Sequence, residues 1–249
     1  MSAADVVLIA VAGLSSGIIN TIAGGGSLIL FPALMATGIP SLAANVTNSV
    51  AGWPGYVGGV VGFRPELADQ RGRLRDLALV AIAGAATGCT LLLLTPESAF
   101  DALVPALVLL ASILVGLQPV LKRRLGPAEH LAHARPVLLS SVFAATVYGG
   151  YFGGGLGIIV LAALTLTVPD TLARLNALKS AVSLVNSSVT VVIFALAGPV
   201  SWDAVLVAVP ATLIGGYLGA SIARAVNETA LRTFIVAFGV CVAAWLAVR

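Results

Sequence analysis

The sequence predicts an all-α integral membrane protein with two homologous halves, and three observations lead there. Of its 249 residues, 59% are hydrophobic and only 9% are charged, whereas a soluble domain carries about 45–50% apolar and about 25% charged residues. The mean hydropathy is +1.07. Finally, glycine-interrupted apolar stretches recur: Gly24-Gly25-Gly26 and Gly153-Gly154-Gly155 lie 129 positions apart (24 to 153), as do Pro40 and Pro169 (40 to 169). So few polar residues could not cover a water-soluble fold, and a disordered chain needs low hydrophobicity and high charge.

Residues 6–63 include no charged side chain. As one helix they would reach about 87 Å, against a hydrocarbon core of about 30 Å, so the chain must turn back. The breakers are Gly24-Gly25-Gly26 and Gly38-Ile39-Pro40, and Ser27 stands where a new half-helix would open. A mostly basic loop follows, with Arg64, Glu66, Asp69, Arg71, Arg73, Arg75 and Asp76. Spans are expected over residues 77–94 and 102–121, joined by an acidic connection at Glu97 and Asp101. A second basic loop holds Lys122, Arg123, Arg124, Glu129, His130, His133 and Arg135. Residues 137–202 repeat the long apolar stretch, interrupted only by Asp170, Arg174 and Lys179, with breakers at Gly149-Gly150, Gly153-Gly154-Gly155 and Val168-Pro169. Two spans over 204–223 and 233–248, joined by residues 224–232, complete the pattern. The halves divide as residues 1–125 and 126–249.

Loop charges orient the spans. If each long stretch crosses three times, the basic loops, Arg174, Arg224 and Arg232 share one side, and Asp5, Glu97, Asp101 and Asp203 share the other. Two crossings would move Arg174, Arg224 and Arg232 to the acidic side. The positive-inside rule favours three. That gives five passes per half, an odd number, hence inverted repeats, ten segments and both termini outside; eight segments is the alternative. The N-terminus, Met1-Ser2-Ala3-Ala4-Asp5, has no positive n-region, so the first apolar stretch is expected to stay in the membrane.

Several function classes fall away. The net charge of +3 comes from loop residues that set orientation, which argues against nucleic acid as a partner. Cys89 and Cys241 lie in apolar runs and read as packing residues. His130 and His133 share a basic loop with no third ligand nearby, so no metal site is expected. No Gly-rich loop precedes Lys-Ser or Lys-Thr as ATP binding would require. No Ser, His and Asp can meet at one depth. An enzyme is not expected, nor an organic cofactor.

Polar residues in the apolar stretches are the candidate site. A helix that starts at membrane depth presents free N–H groups and a positive dipole end, which suits an anion. Free backbone there is tolerable only beside a cavity or inside protein. The competing role for the glycines is close helix packing. Paired interruptions in two halves point to a transporter's binding site. Each is followed by polar side chains: Asn45, Thr47, Asn48 and Ser49 in one half, and Asn176, Lys179, Ser180 and Ser183 in the other, with Ser187 and Thr190 continuing the face as packing residues. An ammonium in an apolar segment costs about 3 kcal/mol, so Lys179 either faces a cavity or snorkels to the interface. Asp170 and Arg174, four apart, suit a surface helix pair.

The run Gly17, Asn20, Gly24-Gly25-Gly26, Pro32, Gly38, Pro40, Ala43-Ala44 and Asn48 resembles the TauE/SafE family of sulfite exporters. So does Tyr148-Gly149-Gly150-Tyr151-Phe152-Gly153-Gly154-Gly155-Leu156-Gly157. The resemblance spans nearly the whole chain. It implies a secondary transporter in the cell membrane, moving sulfite, thiosulfate, sulfoacetate or related anions, usually outward. The expected binding residues are Asn20, Gly24, Gly25, Gly26, Ser27, Asn48, Ser49, Gly153, Gly154, Gly155, Asn176, Lys179 and Ser183. A proton or sodium ion could be coupled. A passive anion channel using the same glycine-lined path is the alternative.

Overall fold

The structure is a computed structural model that describes residues 1–22, 24–124, 135–222 and 228–248. Glu129, His130, His133 and Arg224 lie outside the described residues. Within them the chain forms ten α-helices: α1 Ala3–Ile22, α2 Ser27–Ala36, α3 Ser41–Gly62, α4 Arg71–Leu94, α5 Glu97–Arg124, α6 Arg135–Tyr151, α7 Leu156–Thr167, α8 Leu172–Ala197, α9 Trp202–Ile222 and α10 Glu228–Val248. A single 3-10 turn, Pro65–Leu67, sits between α3 and α4. Six helices are long and apolar enough to cross a membrane, while α2 and α7 are apolar but short. With 10 and 12 residues, these two reach about 15 and 18 Å, roughly half the hydrocarbon thickness. Val7, Leu79, Leu94, Leu196, Leu206 and Val248 point outward, as a lipid-facing surface requires.

The breaks fall where the sequence places them. α2 opens at Ser27, ends before Gly38, and gives way to α3 after Pro40. The expected spans run longer than their apolar cores. α4 begins at Arg71 rather than at residue 77, and α5 begins at Glu97. Backbone pairing continues outward where charged side chains can reach water, so Arg71, Arg73, Arg75 and Asp76 are helical instead of loop residues. Cys89 is buried as expected, but Cys241 is exposed; an apolar run in lipid does not say which face turns inward.

Glycine governs how the helices group. Gly13 and Gly17 in α1, Gly55 and Gly59 in α3, Gly84 and Gly88 in α4, and Gly215 and Gly219 in α9 repeat at four-residue spacing. This small-xxx-small pattern lets backbones touch in lipid. A Cβ at Gly17 would collide with the Thr212 carbonyl, one at Gly216 with the Gly55 carbonyl, and one at Gly88 with the Val147 carbonyl. Gly13 meets Ala208 and Ala211, and Gly17 meets Thr212 and Gly216, so α1 and α9 run parallel. Thr21 Oγ1 donates to the Gly216 carbonyl (3.2 Å), and Thr212 Oγ1 donates to the Ala51 carbonyl of α3 (2.7 Å).

A second group runs the other way. Gly84 faces Phe143 and Gly88 faces Val147, which aligns α4 with α6. Cys89 Sγ lies 3.7 Å from Thr190 Oγ1, and Gln70 Nε2 donates to the Arg174 carbonyl (3.3 Å), which aligns α4 with α8. Leu77, Ala81, Val142, Leu156, Val160, Leu164, Leu175 and Leu178 form its apolar core. The groups meet along α3 and α8, which are antiparallel: Trp53 Nε1 donates to Ser188 Oγ (2.8 Å), and Val46 lies beside Gly198. Each group therefore contains three helices of one sequence half and one of the other: α1, α2 and α3 with α9, and α6, α7 and α8 with α4.

Charge separates by end. Ser41 Oγ donates to Asp101 at one. At the other, Asp170 accepts from Arg73 and Arg174, each at 2.9 Å, and Asp76 accepts from Arg135 at 2.7 Å. The expected Asp170–Arg174 pair is thus present, with Arg73 of α4 added. Burial by itself would raise the Asp170 carboxyl, but hydrogen bonds from the Thr171 N–H, Arg174 and Arg73 hold it below the usual carboxylate range. Such a group stabilises the fold above its unfolded pKa and loses that contribution as pH falls through the lower folded value. Asp170→Ala should therefore cost about 0.5–1 kcal/mol at neutral pH. Thermal unfolding of wild type and variant should converge on acidification.

Candidate functional site

The site is built around two interruptions of the helical backbone. α1 stops at Ile22, and Gly24 turns with φ +84°, a region that side chains beyond glycine enter at a cost of about 1–2 kcal/mol. Its N–H reaches back to the Ile19 carbonyl at 3.0 Å. Asn20 Oδ1 accepts the Gly26 N–H at 2.8 Å and so holds the start of α2 against the end of α1. In the other half, the Tyr148 carbonyl accepts the N–H groups of Phe152 (2.9 Å) and Gly153 (3.3 Å), and α7 begins after Gly155. The N–H groups of Gly25, Ser27, Gly154, Gly155 and Gly157 make no hydrogen bond among the described residues.

The two interruptions touch. A Cβ on Gly157 would sit 3.1 Å from Gly24 Cα and 3.5 Å from Lys179 Cδ. Lys179 is 3% exposed, and its Nζ donates to the Thr21 carbonyl at 3.4 Å. It points inward to the last turn of α1, whose carbonyls lack helical partners and form the negative end of the helix. That settles the choice left open by the sequence: Lys179 does not snorkel.

Small chambers lie on either side of this crossing. The first has free space of about 20 Å³ and is lined by Asn20, Ser27, Asn48, Ser49, Gly52, Tyr56, Gly149, Gly153, Leu156, Asn186, Ser187 and Thr190. The second has free space of about 10 Å³, lined by Asn20, Thr21, Tyr56, Gly59, Gly157, Lys179, Ser180 and Ser183. Asn20 and Tyr56 border both. A wider cleft of about 390 Å³ opens at the Asp101 end among Met35, Gly38, Pro40, Ser41 and Leu246. No group of three His, Cys, Asp or Glu that could hold a metal occurs among the described residues.

The expected residues divide by position. Asn20, Ser27, Asn48, Ser49 and Gly153 line the first chamber, and Lys179 and Ser183 the second; Gly24 is at the crossing. Gly25 faces Val115 and Ile235, Gly26 faces the Ser16 carbonyl, and Gly154 and Gly155 face Ala111. These four shape the breaks from their packed side. Asn176 lines neither chamber; its carbonyl accepts from Ser180 Oγ at 2.9 Å. Asn45 and Thr47 tie segments together instead: Asn45 Nδ2 donates to the Tyr151 carbonyl, and Thr47 Oγ1 accepts the Ser201 N–H, both at 2.9 Å. Ser187 and Thr190, read above as packing residues, line the first chamber. Sequence reasoning also missed Tyr56 and Asn186. Asn186 continues the polar face of α8 three residues after Ser183 and was findable; Tyr56 carries no such signal.

Short broken helices that cross amid buried polar side chains, inside a multi-pass helical membrane protein, define a membrane transporter. The chain belongs to the TauE/SafE sulfite exporter family, whose profile, "Sulfite exporter TauE/SafE", matches residues 9–246. A "Probable membrane transporter protein" of Haemophilus influenzae is 28% identical over 230 residues, 90% of this chain and 87% of the relative. The "Probable membrane transporter protein YfcA" of Escherichia coli K12 is 26% identical over 224 residues, 89% of this chain and 81% of the relative. No solved structure matches the chain.

Gly24 and Gly38 separate strain from contact. Both have positive φ, but nothing lies within 4 Å of a Cβ at Gly38. Gly38→Ala should cost about 1–2 kcal/mol. Gly24→Ala should cost more by about 1 kcal/mol or above, because it also forces the breaks apart. Thermal unfolding of both variants checks the order.

Proposed function

We propose that the protein is a secondary transporter of sulfite or a related small sulfur-containing or organic anion. The crossing of the breaks at Gly24 and Gly157 carries this reading. Backbone N–H groups without a partner among the described residues, the Asn20, Asn48 and Ser183 side chains and the Lys179 ammonium are donors gathered around this crossing, and among the described residues no carboxylate lines either chamber. Such donors suit an oxyanion and repel a cation. Family membership supports the same substrate class.

In this reading the sequence halves 1–125 and 126–249 are inverted repeats. The opposite directions of the α1–α3–α9 and α4–α6–α8 groups support that arrangement. The end with Arg73, Arg135 and Arg174 faces the cytoplasm by the positive-inside rule. The bodies that rock are the two packed groups rather than the sequence halves, since glycine contacts bind α9 to α1 and α4 to α6. They hinge along α3 and α8, and the chambers exchange access around Asn20 and Tyr56. No chemistry on the substrate and no organic cofactor is invoked; a proton or sodium ion is the coupling partner considered.

Counterflow in proteoliposomes tests the proposal. Preloaded unlabelled sulfite should accelerate uptake of labelled sulfite, because a carrier returns loaded. Uptake indifferent to preloading would mean a channel. Lys179→Met should reduce exchange about tenfold or more, and Lys179→Arg should retain more of it, since a buried charge-assisted bond is worth about 1.5–3 kcal/mol. Equal, wild-type exchange in both variants would remove Lys179 from the site.

A further inference from the structure

We propose that Asn45 and Asn176 are paired positioning residues that decide which end of the protein is open, with the Asn45 latch made in this structure and the Asn176 latch released. This rests on the transport reading and assigns the contacts through which its two packed groups exchange access. The two asparagines hold equivalent places in the repeat. α3 opens at Ser41 and α8 at Leu172 (41 to 172), so each asparagine is the fifth residue of its helix. The helices that end at the breaks also correspond, α1 at Ile22 and α6 at Tyr151 (22 to 151).

Each of these last residues has a carbonyl deprived of its helical donor. Four positions after Tyr151 stands Gly155, whose N–H makes no hydrogen bond among the described residues; four after Ile22 stands Gly26, whose N–H goes to Asn20 Oδ1. A helix-end carbonyl at this depth draws a donor from elsewhere. Asn45 Nδ2 donates to the Tyr151 carbonyl at 2.9 Å. Asn176 makes no matching bond: its Oδ1 is buried without a partner, and no bond from its Nδ2 is present among the described residues. Its face of α8 nevertheless turns toward the end of α1, because Lys179, three residues on, donates to the Thr21 carbonyl, and residues three apart share a helix face. The long lysine side chain spans a gap that the shorter carboxamide does not.

The two latches join the same groups at opposite ends. Asn45 lies in the group of α1, α2, α3 and α9, and Tyr151 in the other. They meet near the Asp101 end, where the Phe100 and Tyr151 rings are 6.1 Å apart. Asn176 and Ile22 reverse the group membership and lie toward the arginine end, where α8 starts beside the Asp170–Arg73 pair. Rocking about the α3–α8 contact that draws Asn176 onto Ile22 pulls Asn45 off Tyr151, so the two bonds exchange between conformers related by the repeat. The cleft at the Asp101 end lies outside this latch. Its lining comes from α2, the start of α3, α5 and α10, with no residue of α6 or α8.

Thiol labelling of the full chain in proteoliposomes is the test. Gly52 lines the first chamber, with nothing within 4 Å of an added Cβ, and Ser183, its repeat equivalent (52 to 183), lines the second. Gly52→Cys and Ser183→Cys, each combined with Cys241→Ala, are exposed to a membrane-impermeant thiol reagent from either side. Asn45→Ala should speed labelling at position 52 from the Asp101 side about threefold or more, the population shift that one hydrogen bond gives, and slow labelling at position 183 from the arginine side. Asn176→Ala should slow labelling at position 52, because it removes a bond made only in the other conformer. A side chain that merely supports packing would not give opposite signs. Changes of one sign in both variants, or no change in either, would overturn the assignment. A second measurement uses neither alanine variant: Ile22→Cys with Asn176→Cys should cross-link under oxidant and halt counterflow until reduced, and failure to cross-link would likewise sink the latch. Labelling and cross-linking need no transported solute, so the latch can fail while counterflow upholds the carrier; loss of counterflow in the wild type would instead remove the transport reading.

Discussion

A main-chain N–H or carbonyl in the apolar interior of a membrane must find a partner, and everything distinctive in this structure follows from how the chain meets that demand. Eight of the ten described helices satisfy it internally over most of their length. The other two, α2 and α7, begin partway through the protein, where their first N–H groups have nothing to bond within the helix. The Asn20 side chain takes one of these N–H groups, and others border polar chambers. Lys179 performs the reciprocal task at the end of α1 by donating to the Thr21 carbonyl. Asn45 of α3 donates likewise to the Tyr151 carbonyl at the end of α6, so each half satisfies a broken end of the other, and the region where they do so is the candidate binding site.

This meeting of breaks needs backbones to come unusually close, which only glycine permits. A Cβ on Gly24 or on Gly157 would sit 3.1 Å from the other's backbone, tighter than ordinary van der Waals contact. The same economy of volume operates at larger scale between α1 and α9 and between α4 and α6, where glycines at four-residue intervals face a neighbour's carbonyls. Lipid supplies no hydrophobic drive between helices, so close van der Waals packing of this kind is what groups them. It also exchanges one helix between the sequence halves. A motion that kept these contacts intact would carry α9 with α1–α3 and α4 with α6–α8, and would be accommodated where α3 crosses α8. The Trp53–Ser188 hydrogen bond spans that crossing.

Much of this was legible before any coordinates. Composition placed the chain in a membrane, the glycine triplets and prolines located both breaks to within a residue or two, and the spacing of polar residues on α3 and α8 indicated part of the chamber lining. These are local properties: hydropathy, dihedral preference and helical periodicity are written in neighbouring residues. What lay beyond the sequence is everything that depends on which distant segments touch. It could not tell that Gly25, Gly154 and Gly155 turn toward packing surfaces, that Tyr56 stands between the chambers, that Lys179 points inward, or that α4 and α9 change partners. In lipid every helix is apolar on all sides, so no amphipathic stripe reveals which face meets which neighbour, and only the packed structure decides it.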